Sequence, residues 1–439
     1  MRVRTNTLIA IVGFGLALSM GFCANAAVGD LLWSRTFGGK GDDGATSIIR
    51  TAEGGYVLTG FTGSFGSGGG DVWLLSLSSD GDSLWSHTYG GLNWDCAVDV
   101  IQTGDGGFLL TGRTYSFGSG EVDAWLLRTD LHGDSLWSKT FGGSKKDGAN
   151  CIIETPDGGY LLAACTESYA LVWQSGLLKR LQLSLRLFNR YILDLLGHSS
   201  EITFLGVLRS AWNVILRQPS CDMWILKIDA SGRLLWSRTF GGIHGDCCLS
   251  ATLRADGGYL LVGCTESFGA GSNDFWIVRI NSQGDSLWSH TYGGKGEDLA
   301  SDVLRTLDLG YLLIGRSQST GAGGFDFYAV KINPWGDPLW SRTYGGERDE
   351  FAFCSASTED GGYLLAGRTK SFGAGATDAW LVKLDAQGDS LWSRTFGGSR
   401  EDEVRSIVQA ADGSYLLTGL TSSSGAGGSD VWLMRIAGE

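Results

Sequence analysis

A tryptophan in the segment Leu-Trp-Ser recurs along the chain at an almost fixed spacing. It occupies seven positions: Trp33, Trp85, Trp137, Trp236, Trp288, Trp340 and Trp392. Five of the six intervals are 52 residues, and the interval between the third and fourth tryptophans is 99 residues. The chain therefore contains seven copies of one unit, with an insertion of 47 residues in the third copy. A fixed period in this range is typical of solenoids, propellers and other repeat architectures.

Each copy predicts four short β-strands. In the copy that ends at Trp85, residues 45–51, 56–62, 71–75 and 84–89 are rich in aromatic and branched side chains, and Gly, Asp and Ser separate them. The chain has 69 glycines and only 4 prolines, so glycine forms the turns. Four strands in seven copies predict an all-β fold, a seven-bladed β-propeller of four-stranded blades.

The two ends of the repeat region complement each other. The region begins with a fourth-strand segment, residues 31–37, and ends with a third-strand segment, residues 430–436. We predict that these segments pair antiparallel, because their pairing completes the last blade and leaves no long free edge. The propeller then spans residues 27–439.

The turn before the repeated tryptophan resembles a known blade motif. Asp385-Ala-Gln-Gly388-Asp-Ser-Leu-Trp392 has the Gly-to-Trp spacing of quinoprotein-like propellers, although its Asp-to-Gly distance is one residue shorter. The chain is also similar to secreted bacterial and archaeal propeller-repeat proteins with Thr-x-Gly-Gly, Asp-Gly-Gly-Tyr and Asp-x-Trp elements. This resemblance implies a propeller and secretion, and it implies no particular activity.

The first 26 residues have the pattern of a secretory signal peptide. Arg2 and Arg4 precede an apolar stretch over residues 8–22, and Ala24-Asn25-Ala26 forms an A-x-A cleavage site. We therefore expect a secreted protein, periplasmic or extracellular. Lipid attachment at Cys23 is the alternative.

Net charge restricts the partners of the ring. The formal charge of the chain is −13, and without the basic signal peptide and the basic insertion it is −19. Such an acidic surface argues against nucleic acid and anionic lipid as ligands of the ring. We expect a monomer with an unknown protein or glycan as partner.

Eight cysteines remain after residue 26. They stand in columns that hold Gly, Ala, Ser or Asn in other copies, which favours small buried residues over a disulfide framework. The adjacent Cys247 and Cys248 leave a vicinal disulfide as an alternative, and the residues alone do not settle the disulfide state.

One acidic position recurs in every copy, where the chain crosses from one blade to the next. Its seven residues are Asp43, Asp95, Asp147, Asp246, Asp298, Glu350 and Asp402. They are weak candidates for binding cations or sugars at the channel mouth. Because the position recurs in all seven copies, a structural role in the crossing turn is favoured.

The repeated tryptophans are interpreted as structural. We expect Trp85, Trp137, Trp288 and Trp392 to be largely buried, so that truncation to alanine would cost about 3–5 kcal/mol. A second aromatic column, with tryptophan in six copies, predicts packing between neighbouring blades.

The insertion, residues 171–217, is leucine-rich and carries six basic and two acidic residues. Its pattern predicts two helices that project from blade three. It is also the one segment that suggests contact with a membrane surface. Its role stays open between a docked decoration, a sequence artefact and a binding element.

Function is the least constrained property. Outside the insertion, the copies differ mildly, and the differences look scattered. No catalytic triad, metal-ligand spacing or cofactor motif stands out, so we predict no catalytic residues, no metal and no cofactor. We expect a non-catalytic binding or scaffold propeller. The alternative is an enzyme, a quinone-dependent oxidoreductase or a carbohydrate hydrolase, with its site at the channel mouth.

Overall fold

A computed structural model describes residues 27–170 and 221–438. The predicted signal peptide and the predicted helical insertion lie outside the described residues. The described part contains 28 strands in seven four-stranded sheets. The predicted all-β, seven-bladed architecture is therefore confirmed.

The strands follow one another in chain order around the ring. The first is β1 (Leu31–Phe37). Blade one holds β2 (Asp43–Arg50), β3 (Tyr56–Thr62), β4 (Asp71–Leu77) and β5 (Ser83–Tyr89). Blade two holds β6 (Asp95–Gln102), β7 (Phe108–Thr114), β8 (Asp123–Thr129) and β9 (Ser135–Phe141). Blade three holds β10 (Asp147–Glu154), β11 (Tyr160–Thr166), β12 (Asp222–Ile228) and β13 (Leu234–Phe240). Blade four holds β14 (Asp246–Leu253), β15 (Tyr259–Thr265), β16 (Asp274–Ile280) and β17 (Ser286–Tyr292).

The last three blades have the same pattern. Blade five holds β18 (Asp298–Arg305), β19 (Tyr311–Ser317), β20 (Asp326–Ile332) and β21 (Pro338–Tyr344). Blade six holds β22 (Glu350–Ser357), β23 (Tyr363–Thr369), β24 (Asp378–Leu384) and β25 (Ser390–Phe396). Blade seven holds β26 (Asp402–Gln409), β27 (Tyr415–Thr421) and β28 (Asp430–Ile436), and β1 is its fourth strand. In each blade these strands are called the inner, second, third and outer strand.

The ring closes through the two ends of the repeat region, as predicted. β1 pairs antiparallel with β28, from Leu31 opposite Ile436 to Phe37 opposite Val431. The Ala437 N–H donates to the Asp30 carbonyl and the Gly29 N–H donates to the Ala437 carbonyl, which extends the contact beyond the strands. Blade seven is thereby built from both ends of the repeat region, and β28 has no free edge.

The hydrophobic core lies between neighbouring blades. Both faces of each sheet are covered, so third strands such as β4 are buried along their whole length, whereas outer strands such as β5 are half exposed. At the boundary of blades one and two, Leu74 packs in one cluster with Val100 and Trp125. Removal of these apolar faces from water holds adjacent blades together.

Every inner strand has a β-bulge after its third residue. In blade one Ala45 pairs with Gly60 and Ser47 pairs with Thr59, so Thr46 is left unpaired. The strands approach closely here: a Cβ on Gly60 would lie 2.0 Å from the carbonyl oxygen of Gly44. A bulge turns its extra residue away from the ladder. The extra residues of the seven blades are Thr46, Val98, Asn150, Leu249, Ser301, Phe353 and Arg405.

Blade three keeps the common register although its chain is interrupted. β11 and β12 pair from Tyr160 opposite Ile228 to Thr166 opposite Asp222, which matches the pairing in the other blades. The intervening residues leave the blade at the end of the second strand. The Ser168 side chain donates to Asp147 in the crossing turn there, so this end of the second strand lies on the same side of the ring as the crossing turns.

Candidate ligand site in the central channel

The recurring acidic residues lie inside the crossing turns. All seven are 0–1 % exposed. The carboxylate of Asp43 accepts hydrogen bonds from the Gly39 N–H at 2.8 Å, from the Ser64 hydroxyl at 2.6 Å and from the Thr62 hydroxyl. The bond from the glycine N–H recurs in the other six blades. This geometry ties the carboxylates to the backbone of their own turns and does not present them at the open mouth.

A second buried carboxylate stands beside the first at each blade boundary. Asp71 accepts the Ser67 N–H at 2.7 Å, whereas its Oδ1 has no hydrogen-bond partner among the described residues. Burial raises the pKa of Asp71, the bond from Ser67 lowers it, and the charge of Asp95 raises it again. These pairs belong to the frame of the ring and recur around it.

The tryptophans of the Leu-Trp-Ser segment, among them Trp85, Trp137, Trp288 and Trp392, are partly buried: most of each indole is covered, but they are less buried than core residues. One face of an outer strand meets solvent, which leaves part of each indole exposed. The other part covers a turn of the next blade: a Cβ at Gly81 would lie 2.4 Å from the Trp33 ring. The same contact with a turn glycine is made by all seven members of the column: Trp33, Trp85, Trp137, Trp236, Trp288, Trp340 and Trp392.

The second aromatic column is the buried one. Trp73, Trp125 and Trp380 are 3–5 % exposed on third strands. Trp380 lies 4.6 Å from the Phe327 ring of the preceding blade and 5.3 Å from Phe372, measured between ring centroids. The predicted packing between neighbouring blades is present here.

The inner strands enclose a cavity of about 630 Å³ in the channel. All seven bulge residues line it, and Phe353 and Arg405 are the large ones among them. A volume of this size falls within the range of small-molecule sites, about 300–1,000 Å³. The repeated bulge therefore supplies one channel-facing position in each blade whose side chain is free to differ.

Two aspartates of the inner strands also line the cavity. Asp99 accepts hydrogen bonds from the Ser47 hydroxyl at 2.9 Å and from the Ile152 N–H at 3.0 Å, and so joins blades one to three. Asp302 accepts the Ser355 N–H at 3.1 Å and the Ser355 hydroxyl at 2.9 Å. Burial raises the pKa of both carboxyls, and these hydrogen bonds lower it.

The channel rim on the side of the crossing turns differs at each blade boundary. There the sixth residue of a second strand lies near the second residue of the next inner strand, and we call the two a mouth pair. Arg113 lies against Gly148 in one such pair, and a Cβ on that glycine would be 2.6 Å from the guanidinium Nε. Leu420 lies against Gly44 in another. The sequence columns of the mouth pairs are variable, whereas the neighbouring acidic column is constant.

One mouth pair is a disulfide. Cys165 of blade three and Cys247 of blade four are bonded, with their Cα atoms 5.3 Å apart. The interpretation of all eight cysteines as isolated small residues is therefore wrong for these two, and Cys247 bonds across the blade boundary instead of to Cys248. The other six described cysteines are free.

Three arginines and two phenylalanines gather at the rim of blades five to seven. Arg316 lies over the Phe351 ring at 4.3 Å, and Arg405 lies over the Phe353 ring at 4.0 Å, from guanidinium carbon to ring centroid. Arg368 lies 4.6 Å from the Phe351 centroid and holds Glu403 of blade seven at 3.0 Å. These residues, Arg316, Phe351, Phe353, Arg368, Glu403 and Arg405, are called the arginine cluster.

The arginine cluster corrects the expectation that differences between the copies are scattered. They are concentrated in the mouth pairs and at the bulge position. Comparison of the seven copies column by column contains this signal, since Arg316 and Arg368 share a column with Arg113, Phe61, two cysteines and Leu420. The sequence does not show that Arg405, from a different column, joins them.

Two classes of site are not found in the described residues. Within 27–170 and 221–438 no three His, Cys, Asp or Glu side chains are grouped to hold a metal ion. In the same two ranges, no helix has the length and apolar character needed to cross a membrane.

Comparison with known proteins is consistent with the fold alone. Regulatory protein FlaEY of Caulobacter vibrioides is 25% identical over 212 residues, which cover 45% of this chain and 18% of that protein. The chain thus matches less than a fifth of FlaEY. No protein-family model matches the chain.

Solved structures with low sequence identity align with most of the chain. The Pan2 WD40 domain of Neurospora crassa aligns with a TM-score of 0.50 at 8% identity, over 93% of this chain and 96% of that chain. Chaetomium thermophilum Sqt1, bound to the N-terminus of ribosomal protein L10, aligns with a TM-score of 0.47 at 12% identity, over 93% of this chain and 100% of that chain. A protein of unknown function from Bacteroides caccae gives 0.41 at 14% identity, over 77% of this chain and 93% of that chain. The alignment with the Pan2 WD40 domain is consistent with the propeller fold.

Proposed function

We propose that this protein is a secreted, non-catalytic binding propeller that holds its ligand in the channel mouth beside blades five to seven. The observation that carries the proposal is the arginine cluster, which breaks the sevenfold repetition next to a cavity of about 630 Å³. Residues that serve the frame recur in every blade. Residues that occur at only one place in the ring are not required by the repeated fold, and we assign them to ligand binding.

Secretion is supported by two features of the chain. The first is the signal-peptide pattern of residues 1–26. The second is the disulfide between Cys165 and Cys247, since such bonds persist in oxidising compartments and are rare in the cytosol.

Binding is favoured over hydrolysis by the state of the channel carboxylates. A glycosidase needs two carboxyl groups that reach the substrate. Both oxygens of Asp99 accept bonds from the frame, Oδ1 from Ser47 and Val100 and Oδ2 from Ile152. Both oxygens of Asp302 are engaged in the same manner. These aspartates connect blades, and the cationic side chains that line the cavity are Arg316 and Arg405.

A thermal-shift screen of mature protein, residues 27–439, against glycans and metabolites tests the proposal. We expect a ligand to raise the melting temperature and the variant Phe353→Ala to abolish the shift, because Phe353 fills the bulge position beside the cavity. Val98→Ala, the same position in blade two, is the matched control and should keep the shift. A shift that survives Phe353→Ala would place the ligand elsewhere, and turnover of the ligand would show an enzyme.

A further inference from the structure

The arginines of the cluster are held by aromatic rings. The Arg316 guanidinium lies between Phe325 and Phe351, at 5.1 Å and 4.3 Å from their centroids. The Arg405 guanidinium lies on Phe353. Stacking fixes the plane of a guanidinium while its N–H groups stay available for other acceptors. The cluster is therefore ordered before any ligand arrives.

Acceptors within the cluster are fewer than donors. Glu403 is paired with both Arg368, at 3.0 Å, and Arg405, at 2.6 Å, so one carboxylate serves two guanidinium groups. Arg316 has no hydrogen bond or ion pair among the described residues, and its Nε is buried without an acceptor. Burial lowers the pKa of Arg316, Glu297 raises it, and Arg368 lowers it again. The cluster thus holds surplus positive charge and an unsatisfied buried donor, an arrangement that is costly without a further acceptor.

In blade two, the arginine at the position equivalent to Arg316 has a hydrogen-bond partner within the propeller. Arg113 occupies the position of Arg316 in its second strand, and it donates to the side-chain oxygen of Asn150 at 2.8 Å. Asn150 is the bulge residue of the next blade. In the blade after Arg316, the bulge residue is Phe353, which has no acceptor to offer.

We infer that the channel mouth binds its ligand through an oxyanion, a carboxylate or phosphate group, that accepts hydrogen bonds from Arg316 and Arg405. The planar guanidinium fork matches both groups in geometry and charge. The inference rests on the proposed binding function and names the class of ligand for that site.

The negative net charge of the propeller restricts the size of an anionic ligand. The formal charge of the chain outside the signal peptide and the insertion is −19, so a long polyanion is repelled over much of the surface. Screening by salt shortens that repulsion to about 8 Å at physiological ionic strength. A compact anion that fits within the channel gains the arginine contacts and avoids most of the repulsion.

Isothermal titration calorimetry of residues 27–439 with inorganic phosphate, succinate and glucuronate tests the inference, with glucose as the neutral comparator. Phosphate tests for recognition of a phosphate group, whereas succinate and glucuronate test for recognition of a carboxylate. We expect at least one anion to bind, glucose to bind more weakly, and affinity to fall as NaCl is raised. Arg316→Gln should weaken binding about tenfold or more, the usual effect of a lost charged hydrogen bond. Arg316→Lys should weaken it less, and Arg113→Gln should leave it unchanged.

The outcomes separate this inference from the proposed function. Circular dichroism first establishes that each variant is folded. Equal affinity of wild type and Arg316→Gln for the anion, or equal affinity for glucuronate and glucose, would overturn the oxyanion inference. If a neutral glycan binds in a manner sensitive to Phe353→Ala while no anion binds, the oxyanion is wrong and channel binding stands. If no compound in the screen binds, the proposed function itself fails.

Discussion

In the wall of the propeller the residue types repeat from blade to blade, whereas at the rim of its channel they differ. In the wall, each position repeats its chemistry: a tryptophan covers a glycine turn, and an aspartate binds the N–H of a crossing turn. At the rim, the mouth pairs change from boundary to boundary, from a disulfide to an arginine on an aromatic ring to an ion pair. The wall tolerates no such variation, because every blade must present the same surface to its neighbour. The difference indicates where the frame ends and the site begins.

Deletion of β1 tests how much the pairing of the two ends of the repeat region stabilises the ring. Deletion of residues 27–37 from the mature chain exposes the edge of β28, which is buried over most of its length. It also removes Trp33 and Phe37, which pack against the core of blades one and seven. We expect a loss of several kcal/mol, which lowers the melting temperature by about 5 °C in a chain of this length.

Scanning calorimetry of the truncated protein and of residues 27–439 measures the effect of the deletion. The truncated protein should also aggregate more readily, since an open apolar edge pairs with other chains. Equal melting temperatures for the two proteins would show that the ring does not depend on this closure.

Two tryptophans of blade six separate the buried column from the partly buried one. Trp380 is 4 % exposed, so Trp380→Ala should cost about 3–5 kcal/mol, the usual range for a packed large aromatic. Trp392 on the outer strand is only partly buried, and Trp392→Ala should cost less, because a smaller area is removed from water. Urea denaturation followed by circular dichroism measures both. A larger loss for Trp392 would mean that contact with the turn glycine outweighs burial.

The repeated fold was predictable from the sequence because the same residue pattern recurs in all seven copies. The period, the turn glycines and the complementary ends together specified the blades, their number and the pairing of β1 with β28. The difference in burial between Trp392 and Trp380 was not predicted, since periodicity alone does not show which strand forms the outer face of a blade.

The rim was less predictable, because it depends on contacts between copies. Cys165 and Cys247 are separated by 82 residues and occupy different columns, so only the adjacency of blades three and four brings them together. Arg405 joins the arginine cluster through a bulge that leaves it unpaired between Val404 and Ser406. A comparison of the copies emphasises what they share, whereas the site is made of what they do not share.

The smallest expected effect concerns charge within the repeated frame. The raised pKa of Asp71, caused first by burial, means that the neutral carboxyl fits the folded state better than the carboxylate does. Its contribution to stability is complete below the unfolded pKa, about 3.9, and is lost as the pH rises through the folded pKa. Asp71→Asn is neutral at every pH and can still accept the Ser67 N–H. We therefore expect it to match wild type in stability near pH 3.5 and to be more stable than wild type at pH 7.

Melting curves of both proteins between pH 3.5 and pH 7 measure this difference, and Asp80→Asn, at an exposed turn, controls for the change in net charge. A stabilisation that is constant over this pH range would mean that ionisation of Asp71 does not destabilise the folded protein. A loss of stability at pH 7 would mean that its unpartnered Oδ1 has a structural role. The expected rise would instead show that the wall bears a charge cost at this boundary. That cost differs in kind from that of the arginine cluster, since Asp71 is buried beside Asp95 and Arg316 faces an open cavity.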